Sequence, residues 1–110
     1  MVLKKVRVGV IDVGSNSVRL VIYDELKRVP IPIFNEKIMC ALGKDIHKTK
    51  KLNKSGKKSA KNAIIRFVYM AHLMQVKKLF VFATAAVRES KDGKSFILDL
   101  EQQLNIKIKI

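Results

Sequence analysis

Two runs of β-branched and aliphatic residues, Val6 to Val13 and Arg19 to Tyr23, flank the cluster Gly14-Ser15-Asn16-Ser17. This arrangement constrains the fold more than any other feature. β-Branched side chains suit a pleated, half-buried surface, and the first run alternates partly between apolar and polar positions. Gly, Ser and Asn supply the tight reversal between the runs. The pattern predicts a strand, turn, strand hairpin with small polar residues at its tip. Asp12 falls at the end of the first strand, and Asp24-Glu25 closes the second.

The rest of the chain extends this hairpin into a layered domain. Val29 to Cys40 predicts a third strand, and Pro30 and Pro32, which cannot donate ladder hydrogen bonds, assign it to an edge or a strand start. Between Cys40 and Ser55 the pattern dissolves into Gly43 and lysines, as in a surface loop. From Ser55, read as the N-cap, the period changes: Ala60, Ala63, Ile64, Phe67, Met70, Ala71 and Met74 mark one apolar stripe of a long helix. Leu79 to Thr84 is apolar on both faces, the pattern of a central buried strand. Phe96, Ile97, Leu100 and Leu104 return to helical spacing, with Asn105 as the stop. Ile106 to Ile110 alternates as a last strand that the chain leaves unfinished. The order β-β-β-α-β-α-β is that of a ribonuclease-H-like, actin-like ATPase half-domain of the α/β class with a mixed sheet. At 110 residues it forms one unit, 1–110, with no second domain expected.

Charge narrows the partners. Twenty-three Lys and Arg against nine Asp and Glu leave a formal net charge of +14. Eight lysines lie between Lys44 and Lys61, with Asp45 as the only acid among them. Such a run is a solvated face or a footprint for a polyanion. No Phe, Tyr or Trp interrupts it, so the platforms on which single-stranded bases stack are missing and nucleic acid is the second choice. No apolar run approaches the ~20 residues of a membrane span. The N-terminus has no secretory pattern, and the single Cys40 forms no internal disulfide, so a cytoplasmic location is expected.

Chemistry concentrates at the hairpin tip. A turn of Gly14, Ser15, Asn16 and Ser17 presents backbone N–H groups and hydroxyls to an anion, and Asp12 adds a carboxylate suited to Mg²⁺ through its bound water. The plainer alternative is a hairpin whose turn simply needs these residues. The strings IDVGSNSVRLVIYD, FNEKIMCALGKDI, KLNKSG and FATAAVRES follow one another over essentially the whole chain. In that order and spacing they closely resemble the exopolyphosphatase and guanosine pentaphosphate phosphohydrolase family. The resemblance implies an actin-like ATPase fold and Mg²⁺-dependent hydrolysis of the terminal phosphoanhydride of polyphosphate or guanosine pentaphosphate. It also implies that Asp12, Gly14, Ser15, Asn16 and Ser17 form the first phosphate loop and that Arg88 is a phosphate contact. An isolated Arg88 would otherwise read as solvated and paired with Glu89 or Asp92. Thr84 and Arg19 are weaker candidates, either of which could serve structural hydrogen bonding alone.

Phosphoanhydride hydrolysis also needs a group to orient or deprotonate water. The resemblance places that group on a Glu beyond Ile110, together with a second, Gly-rich phosphate loop, so no catalytic residue is expected in this chain. The expectation is the N-terminal part of a phosphoanhydride hydrolase, with at most trace activity alone. The rivals are a basic module binding polyphosphate or nucleic acid, and a decayed gene fragment. A sheet face left bare by truncation predicts self-association or a need for the rest of the enzyme. Asp92-Gly93-Lys94-Ser95 is a helix start and not a P-loop, because the earlier Gly is replaced by Arg88. His47 and His72 stand alone, and Cys40 reads as a small buried apolar residue.

Overall fold

The computed structural model describes residues 6–24 and 31–110. The hairpin forms as expected: β1 (Val8–Val13) pairs antiparallel with β2 (Ser17–Tyr23), with Ile11 opposite Leu20 and Val13 opposite Val18. β3 (Pro32–Met39) pairs antiparallel with β2 and forms one edge, Pro32 being its first residue. Val29 and Pro30, also read as part of this strand, lie outside the described residues. β4 (Lys78–Ala83) runs parallel to β1, and β5 (Ile108–Lys109) runs parallel to β4, giving the sheet order β3-β2-β1-β4-β5.

Four helices complete the described chain. α1 (Ile46–Thr49) is a single turn inside the lysine-rich stretch read as a loop, and α2 (Lys54–Leu73) is the long amphipathic helix. α3 (Ala85–Glu89) is a short helix directly after β4, and α4 (Gly93–Leu104) ends at Asn105 in the left-handed conformation, as its residue type favours. Two short helices, α1 and α3, are therefore added to the expected order. The last strand is also shorter than Ile106 to Ile110.

Periodicity located the core correctly. Ala60, Ala63, Ile64, Phe67 and Ala71 of α2 are buried, and Phe96, Ile97 and Leu100 of α4 join them. They pack on the face of the sheet that carries Ile11, Val13, Val18, Leu20, Ile22, Val81 and Ala83. An ion pair from Arg66 of α2 to Glu36 of β3 at 3.0 Å ties the same face to the edge strand. Both helices lie on this one face.

The opposite face is open. Val10 has Val21 and Phe80 as cross-strand neighbours, so these side chains share a face with Phe82, and the two phenylalanines are 46% and 39% exposed. This corrects the expectation of a strand buried on both sides: β4 is interior to the sheet, but only Val81 and Ala83 are covered. A hollow of about 330 Å³ beside it is lined by Phe80, Phe82, Lys107 and Lys109 among others. Among the described residues, no helix is long and apolar enough to cross a membrane.

The start of α2 also departs from expectation. Asn53, not Ser55, is the N-cap: its side-chain oxygen accepts the Gly56 N–H at 2.8 Å, and the Ser55 hydroxyl donates to the same oxygen at 2.8 Å. The helix therefore begins at Lys54. Its first turn contains no acid.

Candidate phosphate-binding site

Three chain segments meet at the C-terminal end of β1. The first is the hairpin turn, closed by the Gly14 N–H donating to the Ser17 carbonyl at 2.9 Å. The second is the stretch Cys40 to Gly43, which braces the turn from outside. The Asn16 carbonyl accepts the N–H groups of Cys40 (2.8 Å) and Ala41 (3.0 Å), and the Ser15 carbonyl accepts that of Gly43 (2.9 Å). The third is the β4–α3 junction, where Thr84 donates to the Val13 carbonyl through its N–H (3.1 Å) and its hydroxyl (3.2 Å).

Small residues let these segments close up. A Cβ at Gly43 would meet the Ser15 Cβ at 3.1 Å and the Ala86 Cβ at 3.4 Å, so the loop, the turn and α3 touch at this point. Ala41 takes a left-handed conformation, φ 55°, where the chain bends between the N–H groups that reach Asn16 and the Gly43 N–H that reaches Ser15. With their carbonyls engaged by the brace, the N–H groups of Ser15 and Asn16 have no protein acceptor among the described residues. Asn16 is exposed, and Ser15 and Ser17 are half-buried. Unpaired donors on a rigid turn are the arrangement that backbone anion sites use.

The charged candidates divide. Asp12 projects from β1 on the open face of the sheet, is exposed, and makes no ion pair or side-chain hydrogen bond among the described residues. Arg19 is its direct cross-strand neighbour, but the Arg19 guanidinium donates to the Asn35 side-chain oxygen at 2.6 Å. Its role there is to fasten β2 to β3. Thr84 likewise has its hydroxyl occupied by Val13. Arg88 lies in the last turn of α3 and is exposed, and its guanidinium has no partner among the described residues. The alternative pairing of Arg88 with Glu89 or Asp92 is absent.

Asp92 serves a different purpose. Its carboxylate accepts the Leu52 N–H at 2.9 Å and Lys57 Nζ at 3.0 Å, tying the loop before α2 to the start of α4. Burial alone would raise this carboxyl, but those two donors outweigh it and hold Asp92 below the usual carboxylate range. As expected of a helix start, Asp92 precedes α4, although its side chain does not cap it. Cys40 is buried, and burial pushes its thiol up despite a backbone hydrogen bond from Val18. Gly43 and the Asn16 carbonyl were not singled out as site features in the sequence. A lone glycine in a lysine-rich stretch signals a turn, and only the packed structure reveals what it presses against.

Comparison with known proteins identifies the family and the fold. The model of the Ppx/GppA phosphatase family matches residues 21–110. Exopolyphosphatase 1 of Mycobacterium tuberculosis is 27% identical over 103 residues, covering 93% of this chain and 30% of that protein. The Mycobacterium leprae protein of the same name is 26% identical over 105 residues. Among solved structures, the Aquifex aeolicus member of the Ppx/GppA family superposes with a TM-score of 0.87 at 23% identity, covering 94% of this chain and 34% of that one. An exopolyphosphatase from Cytophaga hutchinsonii gives 0.84 at 26% identity, covering 93% and 33%. The chain thus spans about a third of the relatives it matches, and its mixed sheet has their actin-like ATPase half-domain fold.

Proposed function

The chain belongs to the Ppx/GppA phosphatase family, and on that footing we propose that it carries the phosphate-binding half of a phosphoanhydride-hydrolase site, with polyphosphate as its ligand. The observation that carries this reading is the braced turn. Ser15 and Asn16 keep two N–H donors free at the C-terminal end of β1, where open α/β sheets receive their ligands. In this reading those donors and the Ser15 and Ser17 hydroxyls bind oxygens of the terminal phosphate. Gly14 holds the turn closed. Arg88, whose planar fork matches phosphate oxygens, binds the same group from α3.

Asp12 fits Mg²⁺ in one respect: it offers a single exposed carboxylate without a partner among the described residues, and Mg²⁺ is commonly held by one or two carboxylates, several waters and the substrate's own phosphates. When bound there, the ion neutralises negative charge on the phosphate oxygens. Hydrolysis adds water to the terminal phosphorus and breaks its bond to the bridging oxygen, and the proton of the attacking water must pass to a base. By the family resemblance that base is a Glu outside residues 1–110, so in this reading residues 1–110 supply the phosphate contacts and not the base.

Calorimetry with tripolyphosphate and Mg²⁺ tests this. Arg88→Met should weaken binding about tenfold, the loss expected of one charge-assisted phosphate contact, and Asp12→Asn should remove the Mg²⁺ dependence. Unchanged affinity in both variants would reject the site. Guanosine pentaphosphate binding more tightly than tripolyphosphate would replace the ligand while keeping the site.

A further inference from the structure

The lysine-rich segment gains a meaning in three dimensions that its order in the chain does not convey. Gly43 touches Ser15, so Lys44 follows directly on the phosphate turn. From there Lys48, Lys50 and Lys51 lead to Lys54 at the start of α2, all of them exposed. A second segment joins them, because the Lys91 N–H donates to the Lys50 carbonyl at 2.9 Å and places the exposed Lys91 alongside. Three acids lie in or beside these segments, Asp45, the exposed Glu89 and Asp92. Asp92 is already neutralised by Lys57, which leaves Asp45 and Glu89 against six lysines.

The start of α2 sharpens this. Cations in a helix's first turn oppose its dipole by a few tenths of a kcal/mol each. A later helix start would have relieved Lys54, but the Asn53 cap fixes the start at Lys54, with no acid in the first turn. Lys57 has Asp92; Lys54 and Lys58 have no anionic partner among the described residues. A flexible polyanion lying along this surface would relieve both the dipole conflict and the mutual repulsion. The exposed aromatic residues Tyr69, Phe80 and Phe82 are elsewhere, on the middle of α2 and on the open sheet face, so the surface has nothing on which bases could stack.

We propose that Lys44, Lys48, Lys50, Lys51, Lys54 and Lys91 form a track that holds the polyphosphate chain behind its terminal phosphate. This inference rests on the polyphosphate reading above and adds a second binding region with its own dependence on chain length. A three-phosphate ligand fills the turn only. A long chain fills the turn and the track.

The test is affinity, measured on the 110-residue chain, for tripolyphosphate and for polyphosphate of about 100 units across a series of salt concentrations. The long chain should bind at least about tenfold more tightly at low salt, with a steep salt dependence. The variant Lys50→Gln/Lys51→Gln/Lys54→Gln/Lys91→Gln should abolish that advantage and flatten the slope of log affinity against log salt by about 3, taking about 0.7 per cation removed. Tripolyphosphate affinity should stay within about twofold, since no turn contact is altered. Lys77→Gln/Lys78→Gln, at the opposite end of β4, is the control and should change nothing. If the quadruple variant fails to fold, Lys44→Gln/Lys48→Gln should give about half the flattening.

A quadruple variant that retains the long-chain advantage overturns the track. So does single-stranded DNA of equal charge that competes on equal terms, which would make the surface a nucleic-acid site. Failure of the turn is a separate result: tripolyphosphate would not bind at all, while the long chain would still lose affinity with the lysines.

Discussion

Gly43 is pressed against Ser15. Its N–H donates to the Ser15 carbonyl at 2.9 Å, and a Cβ in its place would stand 3.1 Å from the Ser15 Cβ. The loop that carries Lys44, Lys48, Lys50 and Lys51 thus also sets the position of the phosphate turn. Gly43→Ala should displace that turn by a few tenths of an ångström. We expect a loss of about 1 kcal/mol in stability, with a weakening of tripolyphosphate binding beyond what partial unfolding explains. Thermal denaturation and calorimetry on the same sample separate the two; wild-type affinity in a destabilised variant would show that the contact braces the fold alone.

Gly56 gives a test in which two effects oppose each other. It lies in the first turn of α2, where alanine would gain about 1 kcal/mol of helix propensity. A Cβ there would come within 2.7 Å of the Ala41 carbonyl oxygen and 2.8 Å of the Leu42 Cα, both of them backbone that cannot rotate aside. Gly56→Ala should therefore destabilise by about 1–3 kcal/mol despite the better propensity. Asn53→Ala, which removes only the cap, should cost about 1 kcal/mol. A stabilised Gly56→Ala variant in urea unfolding would mean that α2 does not rest on Ala41 and Leu42.

The Asp92 bridge predicts a pH dependence. Its folded-state carboxyl is held below the unfolded value of about 3.9, so its contribution is fully present above that pH. It is lost as pH falls through the folded value. Asp92→Asn should cost about 1 kcal/mol near neutrality, a modest figure because Lys57 is partly exposed. The gap from wild type should close below about pH 4. A gap that persists at low pH would place the effect in packing and not in charge.

Phe80 and Phe82, side by side with Val10 and Val21 on the uncovered face, should drive self-association of this chain when it is expressed alone. Phe80→Thr/Phe82→Thr should reduce concentration-dependent light scattering and leave the melting temperature nearly unchanged, because threonine suits a strand and little buried surface is lost. Equal scattering from wild type and variant would move the sticky surface elsewhere.

Much of this structure was legible from residue order because the signals are local. The alternation in β1 and β2, the three- and four-residue steps of α2 and α4, Asn105 as a helix stop and the small polar turn each record the immediate surroundings of a few neighbouring residues. What escaped were relationships between distant segments. Asn53 displaced Ser55 as the cap because the cap depends on where the chain turns off Leu42 into α2. Apolar residues on both sides of β4 record a preference for burial on each face, but only the packing of α2 and α4 decides which face is covered.

The sequence by itself determined the order of the strands and of the two long helices, the core stripes and the family-like motifs. Tertiary structure decided that Asn16 and Ser15 turn their carbonyls to Cys40, Ala41 and Gly43, leaving their N–H groups without an acceptor among the described residues. It also decided that Asp92 spends its charge on Lys57 and Leu52, and that Lys91 lies beside Lys50. The reason is physical. Periodicity is written by contacts a few residues apart, whereas a braced turn and a shared charged surface arise only when segments tens of residues apart are brought within hydrogen-bond distance by burial of the core between them.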